Sequence, residues 1–237
     1  MKRFVVLGVL IIAGVIAAWL ATRESRELTM QKISDNLFVI VGDGGNTAVF
    51  IRSEGVVLVD TKGENSGQAI LNLVRSVTDK PITHILNTHT HNDHVGGNHF
   101  FAQNVEIVAH ENTAGQMIAM DEFRDPARTH GLPDRTFKDQ LTLFSGDEAI
   151  DLRYFGPAHT NGDAFIVFRA LGVMHAGDTF PGMNVVAGTG GSAEEYPTTM
   201  ARAAAEITGV HTVIPGHGEI ATWQAFIDNV ESIGRRN

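Results

Sequence analysis

The chain has 237 residues, with 27 acidic and 18 basic side chains, a formal net charge of −9 and no cysteine. The acidic balance argues against a general nucleic-acid binder, whose contact surface is basic. The lack of cysteine excludes a disulfide scaffold and all thiolate chemistry.

The chain opens with Lys2-Arg3 and then residues 4–21 (FVVLGVLIIAGVIAAWLA), apolar throughout. A basic start followed by an apolar run is the layout of an export signal or a membrane anchor. The run sits at the lower limit of a bilayer-spanning helix. A small-x-small cleavage pattern is poorly formed at Val15-Ile16-Ala17, and Trp19-Leu20 are bulky where small residues are wanted. These features favour an uncleaved anchor over a cleaved signal. The positive residues flanking the run tie in number, and the short basic N-terminus favours N-inside. The expectation is an exported protein on the periplasmic or extracytoplasmic face, tethered through residues 4–21. Residues 1–28 are read as this segment with a short linker, and residues 29–237 as a single domain.

Strand-like runs follow at Leu37–Val41, Thr47–Ile51 and Val56–Asp60, separated by turn-rich stretches at 42–46 and 52–55. Such spacing predicts an antiparallel meander. Residues 68–77 place Ile70, Leu71, Val74 and Val77 at helical intervals. Pro81 ends that segment, and Ile82–Leu86 returns to a strand. A short helix at 98–101, a strand at 105–109 and a helix at 111–122 come next. Residues 123–137 are polar and hold Pro126, Gly131 and Pro133, so a loop or lid is expected there. Strands are expected at 141–144, 149–155, 164–168 and 173–176, a helix at 198–208, a strand at 210–214 and a closing helix at 222–233. Two strand-rich halves with interspersed helices predict two packed sheets with helices outside.

The densest chemical signal is Asn87-Thr88-His89-Thr90-His91-Asn92-Asp93-His94-Val95-Gly96-Gly97, directly after the strand at 82–86. On an extended segment His89 and His91 point to one side. Where the chain turns, Asp93 and His94 aim into the same space. Imidazole and carboxylate ligands suit zinc, with iron or manganese as other occupants. His159, Asp178 and His217 each follow a strand and are flanked by Gly or Pro. Loops at strand ends on a rigid scaffold are where functional groups concentrate.

The motifs THTHNDHVGG, GPAHTNGD, HAGDT and IPGHGE, with Val59-Asp60 upstream, resemble the metallo-β-lactamase superfamily from about residue 30 onward. The resemblance implies an α+β fold, a four-layer αββα sandwich of two mixed β-sheets with helices on the outer faces and metals at one edge. It implies two zinc ions per chain. His89, His91 and His159 would hold the first, Asp93, His94 and His217 the second, and Asp178 would bridge them together with a hydroxide. Asp93 would also act catalytically by guiding the proton of the attacking water. Asp60 would orient a ligand histidine through a hydrogen bond. Thr88, Thr90 and Thr160 are candidates for similar work. The six other histidines, at 84, 99, 110, 130, 175 and 211, match no ligand position and read as surface or structural. His130, in the expected lid, is a candidate substrate contact, as are Asn46 and Asn184.

The family hosts many reactions, so the site must decide. The missing Cys excludes the β-lactamases that use one as ligand, and the bridging Asp makes β-lactam antibiotics a secondary expectation. Few residues follow His217, which disfavours a glutathione thioester substrate. The primary expectation is a hydrolase of a small ester, thioester, lactone or lactam. A mononuclear iron persulfide dioxygenase needs only part of the ligand set, and a zinc-binding protein without activity is the third alternative. The expected partner is a small-molecule substrate, not a nucleic acid.

Overall fold

The computed structural model describes residues 27–235, so the apolar run at 4–21 lies outside the described residues. Among the described residues, no helix is long and apolar enough to cross a membrane.

Two sheets form the centre. The first holds seven strands in sequential order: β1 (Thr29–Lys32), β2 (Leu37–Val41), β3 (Thr47–Ile51), β4 (Val56–Val59), β5 (Ile82–Leu86), β6 (Glu106–His110) and β7 (Arg135–Phe137). The first four pair antiparallel as hairpins, and β4 to β7 run parallel. The second holds six strands: β8 (Gln140–Leu143), β9 (Ile150–Arg153), β10 (Phe165–Phe168), β11 (Val173–Gly177), β12 (Thr212–Pro215) and β13 (Ala221–Thr222). There β11 and β12 are parallel and the other pairs antiparallel.

The central strands read as continuous apolar runs because both of their faces are covered, while the edge strands β1, β7 and β8 are polar and largely exposed. Leu37, Val39, Ala48, Phe50, Val57 and Val59 point from the first sheet into the space between the sheets, where Ile150, Leu152, Ile166 and Phe168 meet them. Phe50 and Phe168 rings lie 5.2 Å apart across this layer. The alternate residues Ile40, Val49, Val56 and Leu58 face outward onto helix α1 (Gly67–Arg75), through Ile70 and Val74, and onto Phe101. Ile70 and Val74 are four apart, hence on one helix face. On the far side, Phe165, Met174 and Val213 pack against helices α5 (Tyr196–Glu206) and α6 (Trp223–Gly234). Thr222 Oγ1 caps α6 by accepting from Ala225 N at 3.1 Å, which satisfies one of the helix's unpaired N–H groups. The layers are therefore helix, sheet, sheet, helix, as expected.

Three short helices complete the first half: α2 (Asn92–Val95), α3 (Asn98–Phe101) and α4 (Glu111–Ala119). Several expectations change. The helix expected over 68–77 ends at Arg75, because the N–H groups of Ser76, Val77 and Thr78 turn back onto the carbonyls of residues 72–74. Val77 is left exposed. The stretch at 123–137 is not an open lid. It holds a one-turn 3₁₀ segment at Thr129–Gly131 and then strand β7, paired to β6. Phe123 is buried against Val95 and Met117, with Leu132 beside them. A single aromatic anchor therefore fastens a polar segment.

The loops after β4, β5, β11 and β12 converge at one edge of the sandwich. Parallel strands deliver their carboxyl ends, and the loops that leave them, to the same place.

Candidate metal centre

The His-rich segment leaves β5 and enters α2. Its direction changes at His91, which is extended (φ −66°, ψ 145°) just before the helix begins. His89 and His91 thus come from the strand exit, while Asp93 and His94 come from the helical turn. His159 arrives from the loop after β9, Asp178 from the end of β11 and His217 from the end of β12.

These side chains fall into two groups. In the first, His91 Nδ1 lies 3.1 Å from His89 Nε2 and 2.9 Å from His159 Nε2. In the second, His217 Nε2 lies 3.3 Å from His94 Nε2 and 3.1 Å from Asp93 Oδ2. Asp178 stands between them. Its Oδ2 is 3.4 Å from His159 Nε2 and 3.5 Å from His217 Nε2, and its Oδ1 is 3.2 Å from His94 Nε2. His89, His91, His159 and Asp178 each offer one ligand atom within 4.8 Å of the others, and so do Asp93, His94 and His217.

Ring protons decide what these nitrogens face inward with. Thr88 Oγ1 has one proton, which it gives to Asp60 Oδ2 at 2.7 Å. It therefore accepts from His89 Nδ1 at 2.9 Å, leaving the Nε2 lone pair of His89 turned inward. His94 Nδ1 donates to Asp60 Oδ2 at 2.7 Å, and His159 Nδ1 donates to the Asn184 carbonyl at 2.6 Å. Both again turn Nε2 inward. Carboxylate, hydroxyl and carbonyl acceptors behind the rings fix the tautomers that metal ligation needs. Asp60 also accepts from Thr88 N at 2.8 Å, so one buried carboxylate orients two imidazoles, one directly and one through a hydroxyl.

The charges agree. Burial, reinforced by the neighbouring imidazoles, holds His89 well below its ordinary range and pushes His91 down to about 4, so both are neutral with lone pairs available. His159 is lowered chiefly by burial as well. On protein charges alone, burial would lower His94, but Asp60 and Asp178 overcome it and raise it to about 10. His217 is raised to about 9 by hydrogen bonds to Asp178 and Asp93. Burial pushes the Asp178 carboxyl up, yet the imidazoles of His217 and His94 beside it hold it far below the usual carboxylate range. A cation among the inward nitrogens of His89, His91 and His159, about 3 Å apart, would accept the lone pairs crowded there. The buried Asp178 Oδ1 has no hydrogen-bond partner. Three imidazoles, a carboxylate between two groups, and a carboxylate with two further imidazoles fit divalent metal ions.

The remaining expectations divide. Thr160 donates to Asp163 Oδ1 at 2.7 Å and holds the His159 loop, while Thr90 reaches only Met120 Sδ at 3.5 Å. Asn46 does not present a free amide to a substrate. Its Nδ2 is used by the carbonyls of Pro215 and Gly218, at 2.9 and 3.0 Å. His130 is also not brought to the site, because its Nε2 bonds the His99 carbonyl at 2.9 Å beside α3. Asn184 lines a cavity of about 300 Å³ with Asp178, Phe180 and His217, and its backbone serves His159. A second cavity of about 310 Å³ opens on the other side, lined by His91, Thr90, Gln116, Ala119 and Met120. Sequence reasoning misses Lys62, which is fully buried, whereas His175 is structural as expected, its Nε2 donating to the Asn46 carbonyl at 3.1 Å. The Gly177 N–H donates to His175 Nδ1 at 3.2 Å, which sets that tautomer.

Known proteins share this geometry's family and fold. A family model described as "Metallo-beta-lactamase superfamily" matches residues 41–228. The β subunit of 2,4-dinitroanisole O-demethylase from Nocardioides sp. (strain JS1661) is 26% identical over 121 residues, 50% of this chain and 35% of that protein. The uncharacterized protein YobT of Bacillus subtilis (strain 168) is 30% identical over 135 residues, 53% of this chain and 57% of its own. The chain thus spans about a third to somewhat over half of the curated relatives it matches. Among solved structures, a metallo-beta-lactamase from Pontibacter korlensis superposes with a TM-score of 0.73 at 20% identity, covering 87% of this chain and 99% of that one. The DIM-1 metallo-beta-lactamase exposed to ceftazidime gives 0.73 at 18% identity, covering 90% and 100%. Likeness at this identity shows the shared fold.

Proposed function

Given that the chain belongs to the metallo-β-lactamase superfamily, we propose that it is a dinuclear zinc hydrolase of a small ester, thioester, lactone or lactam. The observation that carries this reading is the pair of ligand groups joined at Asp178. His89 Nε2, His91 Nδ1 and His159 Nε2 would hold one zinc, Asp93, His94 and His217 the other, and Asp178 would touch both. When bound, two zinc ions supply Lewis acidity that makes water a nucleophile near neutral pH and polarises a carbonyl.

The chain's own residues do the rest. Asp60 and Thr88 take the outer ring protons of His94 and His89, so the inward nitrogens are the ones a cation would meet. Asn184 does the same for His159 through its carbonyl. Asp93 is half-exposed at the mouth, held by His217, and its carboxylate accepts the proton lost by the attacking water. The cavity beside His91 is lined by amide, hydroxyl and thioether groups with no Lys or Arg among the described residues. It suits a neutral acyl group better than one bearing a carboxylate, which disfavours β-lactam antibiotics. The basic residues of the nearby 121–128 segment are already paired, Arg124 with Asp121 and Arg128 with Glu64.

The test is turnover by zinc-loaded protein of a panel of small esters, thioesters and lactones. Matched neutral and carboxylated acyl groups belong in it, and so does an aryl methyl ether, since one relative is named an O-demethylase subunit. Neutral carbonyl substrates should turn over, and chelation or His91→Ala should abolish the activity. No turnover of any member would contradict the proposal. The apolar run at 4–21 supports an exported, membrane-tethered enzyme, and cell fractionation that recovers it only in the cytosol would refute that.

A further inference from the structure

The turn at 42–46 joins two hairpin strands, and it also works as a clamp on the metal centre. Lys62 is fully buried and holds its backbone at φ 60°, a conformation non-glycine residues rarely adopt. Its Nζ donates to the Gly45 carbonyl at 2.5 Å. Gly45 in turn donates its N–H to the Asp93 carbonyl at 2.9 Å. It also lies so close to the His94 ring that a β-carbon there would overlap it. The next residue, Asn46, reaches the other side. Its N–H bonds the Gly216 carbonyl at 2.6 Å, and its side chain holds Pro215 and Gly218. His217 is thereby bracketed by ties two residues before it, one before it and one after it. It needs them, because its side chain is 48% exposed and its link carries Gly216 and Gly218.

These ties reach Asp93, His94 and His217, the three members of one ligand group. His89, His91 and His159 are held instead by Thr88, by the strand exit and by Asn184. A buried ammonium and a left-handed backbone both oppose folding, and the clamp gives them a purpose. We propose that Lys62 and Asn46 are positioning residues for the Asp93–His94–His217 group. The second cation's affinity depends on them, and the first cation's does not. This rests on the two-cation reading and goes beyond it.

The experiment is metal titration of the full-length chain, wild type, Lys62→Met and Asn46→Ala. Equilibrium dialysis against zinc would be paired with the visible spectrum of cobalt(II)-loaded protein, and unfolding of chelated protein would monitor the fold. Wild type should bind two cations. Both variants should keep the first at unchanged affinity and bind the second about 10- to 100-fold more weakly, the usual effect of losing a group that supports a ligand. The cobalt bands of the second site should be lost selectively. If Lys62→Met fails to fold, Asn46→Ala decides alone, since it removes hydrogen bonds without disturbing a buried charge. Two cations at wild-type affinity in the variants would overturn the proposal, and so would equal weakening of both. Wild type binding fewer than two cations would instead sink the two-cation reading itself.

Discussion

Replacing Asp60 separates fold stability from ligand orientation at this site. The carboxylate is fully buried and accepts three hydrogen bonds, from Thr88 N, Thr88 Oγ1 and His94 Nδ1, at 2.7–2.8 Å. In Asp60→Ala the Thr88 N–H and the His94 Nδ1–H lose their acceptor where no water reaches. Each orphaned buried donor costs about 1–3 kcal/mol, and removing one partner of a buried charged pair costs roughly 3–5 kcal/mol. For a domain of this size that lowers the melting temperature by roughly 6–20 °C. Asp60→Asn behaves differently. Asn tolerates the left-handed backbone that Asp60 adopts at φ 60°. It still accepts from Thr88 N, but its amide now faces His94 Nδ1. His94 must then switch tautomer, with Nδ1 accepting and a proton on Nε2 pointing into the metal group. Asp60→Asn should therefore unfold closer to wild type in chelated form yet bind zinc about 10- to 100-fold more weakly. Thermal unfolding of chelated protein and competition with a chromophoric chelator measure the two effects. Asp60→Asn with wild-type zinc affinity would refute the tautomer argument, and Asp60→Ala with wild-type stability would refute the burial argument.

Asp178→Ala should reduce occupancy of both cations, because its carboxylate touches both groups; full metal content by elemental analysis would rule out a bridging role. Met120→Lys should shift preference toward carboxylated acyl substrates without loss of bound metal, and an unchanged ratio of kcat/KM values would mean the His91-side cavity does not hold the acyl group. Lys62 makes a prediction about pH. Burial lowers its ammonium to about 8, against the pull of Asp43, Asp60 and Asp93, from an ordinary value of 10.5. Between those values the unfolded chain binds more protons than the folded one, so this group's contribution to stability rises with pH, by up to roughly 3 kcal/mol. Below pH 8 it adds no slope. Urea midpoints of chelated wild type minus Lys62→Met, from pH 7 to 10.5, should show that rise; a flat or falling difference would contradict it.

Much of the site was legible because its chemistry is concentrated. Four ligand-type residues between His89 and His94 have no packing explanation, and His159, Asp178 and His217 each follow an apolar strand. The two-sheet core was legible because its central strands, such as Thr47–Ile51, Val56–Val59 and Phe165–Phe168, are apolar on both faces. The groups that support the ligands were less so. The acceptor behind His159 is a backbone carbonyl of Asn184, which no side chain advertises. Asn46 has the look of a contact residue, yet its amide is used by carbonyls about 170 residues away in the chain. Lys62 follows Asp60-Thr61 like an ordinary surface lysine, and only tertiary burial shows otherwise. β1 and β13 are too short to show a period, and β7 lies in a polar stretch that pairing with β6 makes a strand.

The central claim is that seven side chains hold two cations sharing Asp178. Anomalous diffraction at the zinc edge from crystals of zinc-loaded protein tests it most directly. Two peaks are predicted, the first about 2.0–2.1 Å from His89 Nε2, His91 Nδ1 and His159 Nε2, the second beside Asp93, His94 and His217, both within reach of Asp178. A single peak, or peaks away from these atoms, would contradict the account.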